Sequence, residues 1–373
     1  MKKKFFFFII LISLLHELFY HKKIKKKTFK DFLNLKDQKN SVLIALYEDY
    51  HLECLPGFII YFINLKYKVD VLIKYNLTES VEKLKPSNYI RIFQYKNLNQ
   101  IINKIKLITK LFLKYKFLFL LTLEKSKIKL YKKLGYYKHP NSLFIIHHIN
   151  ELYSIGLNKY IIEKKVFSLL DTGKMLYLNP NYFGNFKITF KKNKIVKFFI
   201  TSTKKRNYIN FLKGIQYLKN NSINFEINLV GRSGKFGIND IPKELRNYFN
   251  FYRDITYQKM YQIIIKSDFI ILNLYPNRKE DNIYKFYRAT GNAQLSYGFC
   301  KPSLIEKSFS SIYKFSKNNS IIYTNSNIHL AMMEAAKINN KKYINLCKNL
   351  NLLKNKIYKI SLNNLNKILN IYK

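Results

Sequence analysis

The chain has 373 residues, with 67 lysines and arginines against 22 aspartates and glutamates and a formal net charge of +45. This length allows two domains with their own cores, and a hydrophobic content of 48% excludes a disordered polycation. Three cysteines (Cys54, Cys300 and Cys347) show neither paired nor zinc-like spacing, so we predict no disulfide framework, no metal site and no cofactor.

The N-terminal segment, residues 1–30, combines an apolar run from Phe5 to Leu15 with a basic run from Lys22 to Lys27. The apolar run is shorter than the roughly 20 residues of a spanning helix, and no small-residue cleavage site follows it. A short signal-anchor, a helix in the membrane interface and a first buried element all remain open. More lysines follow the run than precede it, which favours a cytoplasmic body. We predict attachment to the cytoplasmic face of a membrane, peripherally or through this segment, with an anionic membrane surface as partner.

From Ser41 onward the pattern alternates between apolar strands and helices, which is typical of a parallel, doubly wound sheet. The predicted helices cover residues 58–66 and 97–115. The predicted strands are Ser41–Tyr47, Lys68–Lys74, Ile90–Phe93, Phe117–Leu123 and Leu143–Ile146.

Polar residues follow several of these strands, where ligands bind in open α/β sheets. The turn from Glu48 to Glu53, Glu124 and the pair His147-His148 are the candidates. A general base, or a side chain that stabilises developing charge, would come from this set. We place Glu48, Asp49 and His147 first as catalytic residues, with His51 as a further candidate. The alternative is that these side chains only satisfy backbone groups in turns.

The C-terminal half continues the alternation. Ile223–Gly231 is a predicted strand that ends in Gly231-Arg232-Ser233-Gly234, residues 256–266 form a predicted helix, and Ser267–Pro276 is the next predicted strand.

The segment from Tyr287 to Ile305 predicts a tight turn, a short helix that begins at Thr290-Gly291 and stops at Gly298, and a strand from Pro302. Thr290 is a suitable N-cap, and Gly291 allows a ligand close to the backbone. A helix N-terminus binds anions, and Arg288 can add a bidentate phosphate contact. An ordinary loop-helix-strand connection would carry the same pattern.

This succession of strand, glycine turn, helix, strand and Thr-Gly helix resembles the C-terminal domain of GT-B glycosyltransferases, of the family 1/4-like kind. The resemblance covers residues 194–340, and residues 41–190 by strand order. It implies two Rossmann-like, doubly wound α/β domains that face a cleft. The implied divisions are the N-terminal segment 1–30, an acceptor domain at 31–190, a donor domain at 191–355 and a C-terminal helix at 356–373.

The resemblance also implies an enzyme, a hexosyl- or related transferase. Its partners would be a nucleotide-sugar donor and a glycan or lipid-linked acceptor, in cell-surface polysaccharide or lipopolysaccharide synthesis. The donor and phosphate ligands would be Arg206, Gly231, Arg232, Arg288, Thr290, Gly291 and Asn292. Many family members carry a Glu at the start of the Thr-Gly helix, whereas this chain offers Thr290, Gly291, Asn292 and Gln294. A non-catalytic, membrane-associated GT-B-like protein is therefore one alternative.

The arginines support the phosphate assignment, because arginine makes planar bidentate contacts that lysine does not. Six of the seven lie between residues 206 and 288. Lysine, by contrast, is spread along the whole chain among Ile, Asn, Phe and Tyr, which indicates coding bias. A basic nucleic-acid-binding protein is the other alternative, but the chain shows no ribonucleoprotein motif, zinc knuckle or recognition helix. We predict no specific nucleic-acid partner.

Overall fold

The computed structural model describes residues 24, 26–36, 38–48, 51–75, 77, 81–82, 84, 88–123, 125–149, 163, 165–201, 208–232, 236–324 and 327–372. Asp49, Glu124, Arg206 and the apolar run Phe5–Leu15 lie outside these residues, so what was predicted for them stays a prediction. No helix within the described ranges is both long and apolar enough to cross a bilayer.

The chain forms two compact units, which are described separately. The first contains the described residues of Met1–Thr122, Ser126–Leu143 and Phe183–Phe186, and the second those of Leu123–Lys125, Phe144–Tyr182 and Lys187–Lys373. The domain boundaries at 30, 190 and 355 remain predictions.

The first sheet has eight strands in the order β1-β4-β3-β2-β5-β6-β7-β8, and its described strand pairs are parallel. Residues 42–45 of the central strand are fully buried, as expected where helices cover both faces of a parallel sheet. The strands are β1 (Lys26–Thr28), β2 (Gln38–Ala45), β3 (Lys68–Lys74), β4 (Ile90–Tyr95), β5 (Tyr115–Leu120), β6 (Ser142–Ile146), β7 (Val166–Ser168) and β8 (Leu176–Tyr177). The helices are α1 (Phe29–Leu33), α2 (Leu55–Asn64), α3 (Leu98–Ile102), α4 (Ile105–Phe112) and α5 (Ile128–Lys133).

A buried carboxylate cross-links the first sheet near the amino-terminal ends of its strands. Asp70 of β3 is fully buried. It accepts two hydrogen bonds from Arg91 of β4, both 2.7 Å, and one from the Tyr115 hydroxyl of β5, 2.6 Å. Arg91 also donates to Gln38 of β2. The cluster therefore joins four neighbouring strands and lies away from the carboxyl edge where ligands bind.

The second sheet has six strands in the order β11-β10-β9-β12-β13-β14, all paired in parallel. Its strands are β9 (Val196–Thr201), β10 (Phe225–Gly231), β11 (Phe249–Arg253), β12 (Phe269–Ile271), β13 (Ser303–Glu306) and β14 (Ile321–Tyr323). Its helices are α6 (Ile209–Asn220), α7 (Tyr257–Lys266), α8 (Lys279–Phe286), α9 (Gly291–Phe299), α10 (Lys307–Ser310), α11 (Ile328–Lys337) and α12 (Asn340–Ile371).

The strand order of the second sheet reverses next to β9. The chain first adds β10 and β11 on one side of β9, and then β12, β13 and β14 on the other. The carboxyl ends of β9 and β12 therefore flank a topological switch point, which is where ligands bind in open α/β sheets.

The predicted α/β fold class of two parallel, doubly wound sheets is confirmed, but three local predictions need correction. Residues 97–115 form two helices, α3 and α4, because Lys104 between them leaves the helical region at φ −114° and ψ 19°. The strand at 267–276 is reduced to Phe269–Ile271, since Asn273 adopts a left-handed conformation. Helix α9 continues through Gly298 and ends at Phe299, and the next residue, Cys300, takes the left-handed conformation (φ 51°) expected of a glycine.

Candidate functional site

Helix α9 begins at Gly291, with Thr290 at the N-cap position as predicted. The Thr290 side chain makes no capping hydrogen bond. Instead, the Thr290 N–H donates to the Tyr313 hydroxyl at 3.2 Å, and that hydroxyl donates to the Tyr284 carbonyl at 2.9 Å. The loop before the helix is thus positioned by a buried tyrosine.

The first N–H groups of α9 are available for a ligand. Neither Gly291 nor Asn292 donates a backbone hydrogen bond to any described part of the chain, whereas Ala293 N–H reaches the Thr290 carbonyl at 3.2 Å. Gly291 is exposed, and a Cβ built there would meet no atom of the described residues within 4 Å. Unsatisfied N–H groups at the positive end of a nine-residue helix attract an anion.

The Asn292 side chain fixes this helix end at the switch point. Its Nδ2 donates to the Ile271 carbonyl at the end of β12, 2.9 Å away. Its Oδ1 accepts from the Thr201 hydroxyl at the end of β9, 3.0 Å away. Because Asn292 is only 5% exposed, these bonds place its side chain in a structural role and leave its backbone N–H for a ligand.

Gly231 lies on the other side of β9. Val230 pairs with Thr201 in the parallel register, so Gly231 follows directly at the same edge. Its carbonyl accepts from the Asp254 N–H at 3.0 Å. The structure therefore brings Gly231, Thr201 and Asn292 together at the carboxyl ends of neighbouring strands, while Arg232 is exposed beside them.

The described arginines between residues 206 and 288 differ in whether they have a structural partner. Arg288 is half-buried, with its guanidinium carbon 5.8 Å from the Tyr284 ring centroid. Arg246 donates to the Ile241 carbonyl at 3.0 Å, and Arg278 lies 3.7 Å from the Asp281 carboxylate. Arg246 and Arg278 therefore have structural partners, and the phosphate roles of Arg206, Arg232 and Arg288 stay predictions.

Glu48 and His147 lie at the carboxyl edge of the first sheet. Glu48 follows β2 in the first unit, and His147 directly follows β6 in the second. Their side chains are 7% and 6% exposed, respectively. The catalytic roles of Glu48, Asp49 and His147 remain predictions.

Sequence reasoning missed two residues at the carboxyl edge of the second sheet, where the candidate site lies. Thr201 was not among the predicted site residues, although a hydroxyl residue that ends a strand before a helix is a recognisable signal. Glu306 ends β13 and is 4% exposed; its carboxylate accepts from the Ser308 N–H at 2.7 Å. The rule that selected Glu48 and Glu124 would also have selected Glu306.

No protein-family model and no curated protein matches this chain, but solved structures do. A glycosyltransferase from Rickettsia africae has a TM-score of 0.54 at 13% identity, covering 90% of this chain and 98% of that one. Anabaena HepE in complex with UDP-glucose has a TM-score of 0.53 at 11% identity, covering 88% and 99%. An α-glucosyltransferase in complex with UDP and a 13-mer DNA has a TM-score of 0.51 at 13% identity, covering 86% and 94%. The chain has the GT-B fold, as the sequence resemblance predicted.

Proposed function

We propose that this GT-B-fold chain is a glycosyltransferase that moves a sugar from a nucleotide-sugar donor to a hydroxyl of an acceptor. The observation that carries the proposal is the bridge made by Asn292. It ties the N-terminus of α9 to the ends of β9 and β12 at the switch point and leaves the N–H groups of Gly291 and Asn292 for an anion. The UDP-glucose bound by Anabaena HepE supports a donor of this class.

In this proposal the donor diphosphate accepts hydrogen bonds from the N–H groups of Gly291 and Asn292. The leaving nucleoside diphosphate gains negative charge as the glycosidic bond breaks, and preoriented N–H donors stabilise that charge without reorganising. Arg288 and Arg232, together with Arg206, would supply the cationic contacts.

The acceptor hydroxyl loses a proton during transfer, and a carboxylate or an imidazole can take it. We assign this role to one of Glu48, Asp49 and His147. The acceptor is proposed to be a glycan or a lipid-linked intermediate, in cell-surface polysaccharide or lipopolysaccharide synthesis at the cytoplasmic face of a membrane.

The test is a calorimetric titration of the full chain with UDP, GDP, ADP and CDP, followed by turnover of the matching sugar donors. One nucleoside diphosphate should bind in preference to the others, and its sugar should be transferred or hydrolysed. His147→Ala or Glu48→Gln should lower turnover but leave nucleotide affinity unchanged, because a base acts in the transition state.

Binding of none of the four would refute the donor site. Binding without turnover of any sugar donor would favour the non-catalytic GT-B-like alternative.

A further inference from the structure

Helices α3 and α4 present two different faces. One is buried and contains Ile101, Ile108, Leu111 and Phe112. The other exposes large apolar side chains: Ile102 is 45% exposed, Leu107 45% and Leu113 63%. Single exposed apolar residues are ordinary, but three on one short helical segment form a patch.

Lysines surround this patch. Lys104, Lys106, Lys110 and Lys114 are all exposed. Lys106, Lys110 and Lys114 follow each other at four-residue spacing, so they share the face with Leu107 and Leu113. Within the part of the chain that the structure describes, none of these lysines forms an ion pair.

Helix α5 adds to the same basic region. The Thr109 hydroxyl of α4 is 3.5 Å from the Lys133 carbonyl of α5, so the two helices are neighbours. α5 contributes three further exposed lysines, Lys129, Lys132 and Lys133. We call the following exposed lysines and large apolar residues, which lie on these helices or next to their ends, the basic-apolar face: Ile102, Lys104, Lys106, Leu107, Lys110, Leu113, Lys114, Lys129, Lys132 and Lys133.

Acidic residues are scarce in the stretch of sequence that supplies this face. Between Glu82 and Glu151 the sequence contains 14 lysines and one arginine, and Glu124 is the only acidic residue. Some exposed lysines elsewhere have acidic partners, for example Lys342 with Glu334 at 2.8 Å and Lys26 with Glu82 at 3.0 Å, but with 67 basic against 22 acidic residues most lysines of the chain cannot. What distinguishes this face is the combination of lysines that make no ion pair within the described residues with the exposed side chains of Ile102, Leu107 and Leu113, which lysine enrichment by itself does not explain.

We propose that the basic-apolar face docks the first unit on an anionic lipid surface. Leu107, Leu113 and Ile102 enter the boundary between headgroups and acyl chains, and the lysines contact lipid phosphates. Long lysine side chains suit this arrangement because their stems pack on apolar surface while the ammonium stays at the headgroups. This contact is separate from the N-terminal segment and does not depend on the proposed enzymatic activity.

The charge also argues against two other occupants. A second copy docking through the same face would bring like charges together, which disfavours a symmetric pair. The N-terminal segment carries its own lysines at both ends of the apolar run, so it would meet the same repulsion.

A position-specific fluorescent label tests the proposal in the full chain. All three native cysteines are buried, so a cysteine introduced by Leu107→Cys can be labelled selectively with an environment-sensitive NBD group. The matched control is Leu352→Cys, because Leu352 is 66% exposed on helix α12. Both proteins are mixed with vesicles of phosphatidylcholine alone or with added phosphatidylglycerol.

We expect a blue shift of the label at position 107 with the phosphatidylglycerol vesicles only, and none at position 352. A further variant adds Lys106→Gln, Lys110→Gln and Lys114→Gln to Leu107→Cys. The lipid concentration that gives a half-maximal shift should rise by about a hundredfold, since each nearby lysine contributes about fivefold. The same change at Lys341, Lys348 and Lys359 on α12 should raise it no more than a few-fold.

Three results would overturn the proposal. One is an absent shift at position 107 with either lipid. Another is an equal shift at positions 107 and 352. The third is a shift without lipid that grows with protein concentration, which would identify the face as a contact between copies.

Discussion

At the residue scale, Gly291 offers the sharpest test of the donor site. Because a Cβ there meets no atom of the described residues within 4 Å, Gly291→Val should leave the fold and its melting temperature unchanged. The valine side chain would instead occupy the space in front of the α9 N–H groups. Charge-assisted hydrogen bonds contribute about 1.5–3 kcal/mol each, so nucleoside diphosphate affinity in calorimetry should fall about tenfold or more. The affinity of the Gly291→Ala variant should fall less. Wild-type affinity in the valine variant would refute the assignment of the diphosphate site.

Asn292 is the second test at this scale. Asn292→Ala removes the donor to the Ile271 carbonyl and the acceptor for the Thr201 hydroxyl. Leaving these buried groups unsatisfied should lower the free energy of unfolding by about 1–3 kcal/mol. Thr201→Val removes only one of the two bonds and should cost less. Urea unfolding measures both, and an alanine variant as stable as the wild type would show that the bridge does not hold α9.

At the scale of elements, the Asp70 cluster should stabilise the first sheet. Asp70→Ala leaves the Tyr115 hydroxyl and the Arg91 guanidinium without their shared partner, and the loss of hydrogen bonds to a charged group costs about 1.5–3 kcal/mol. The control is Asp171→Ala, which breaks a partly exposed pair with Lys314 at 2.7 Å and should cost less than about 1 kcal/mol. Similar losses in both variants, measured by urea unfolding, would contradict the structural role.

The Cys347 thiol on helix α12 makes a pH-dependent contribution to folding stability. Burial raises the pKa of the Cys347 thiol from 9.0 to about 12, against a lowering contribution from its hydrogen bond with Tyr343. Since the folded value exceeds the unfolded one, the thiol contributes stability that is complete below pH 9 and is lost as the pH rises toward 12. The stability advantage of the wild type over Cys347→Ala should therefore shrink by about 2 kcal/mol between pH 9 and 11.

The control for this prediction is Leu350→Ala, a fully buried position on the same helix that does not titrate. Its unfolding free energy relative to the wild type should stay constant over the same pH range. A constant difference for Cys347→Ala as well would show that the thiol titrates normally in the folded protein.

At the scale of the whole molecule, the N-terminal segment should be dispensable for folding. A chain that begins at Ile24 keeps β1 and both sheets, so it should melt at the same temperature and bind the same nucleotide as the full chain. It should also be more soluble and bind anionic vesicles less tightly, because each removed lysine contributes about 1 kcal/mol near such a surface. If the shortened chain unfolds, the apolar run is a core element and the anchor interpretation is wrong.

Much of the fold could be predicted, because strand and helix periodicity is a local property of the sequence. Strand β3 has the predicted bounds, Lys68–Lys74, and helix α7 (Tyr257–Lys266) differs from the predicted 256–266 by one residue. The predicted stop at Gly298 was wrong, because burial of residues 292–299 extends the helix and leaves Cys300 to take the left-handed conformation. Such tertiary preferences override local propensity.

The sequence by itself determined the α/β alternation, the helix start at Thr290-Gly291 and the GT-B resemblance, since each depends on neighbouring residues. Only the tertiary structure decided that Asn292 joins Ile271 and Thr201, and that Asp70 meets Arg91 and Tyr115. These partners are 21 to 91 positions apart, and nothing local specifies which strands become neighbours. The order of parallel strands brings them together, because each crossover helix allows several placements and the packed core selects one.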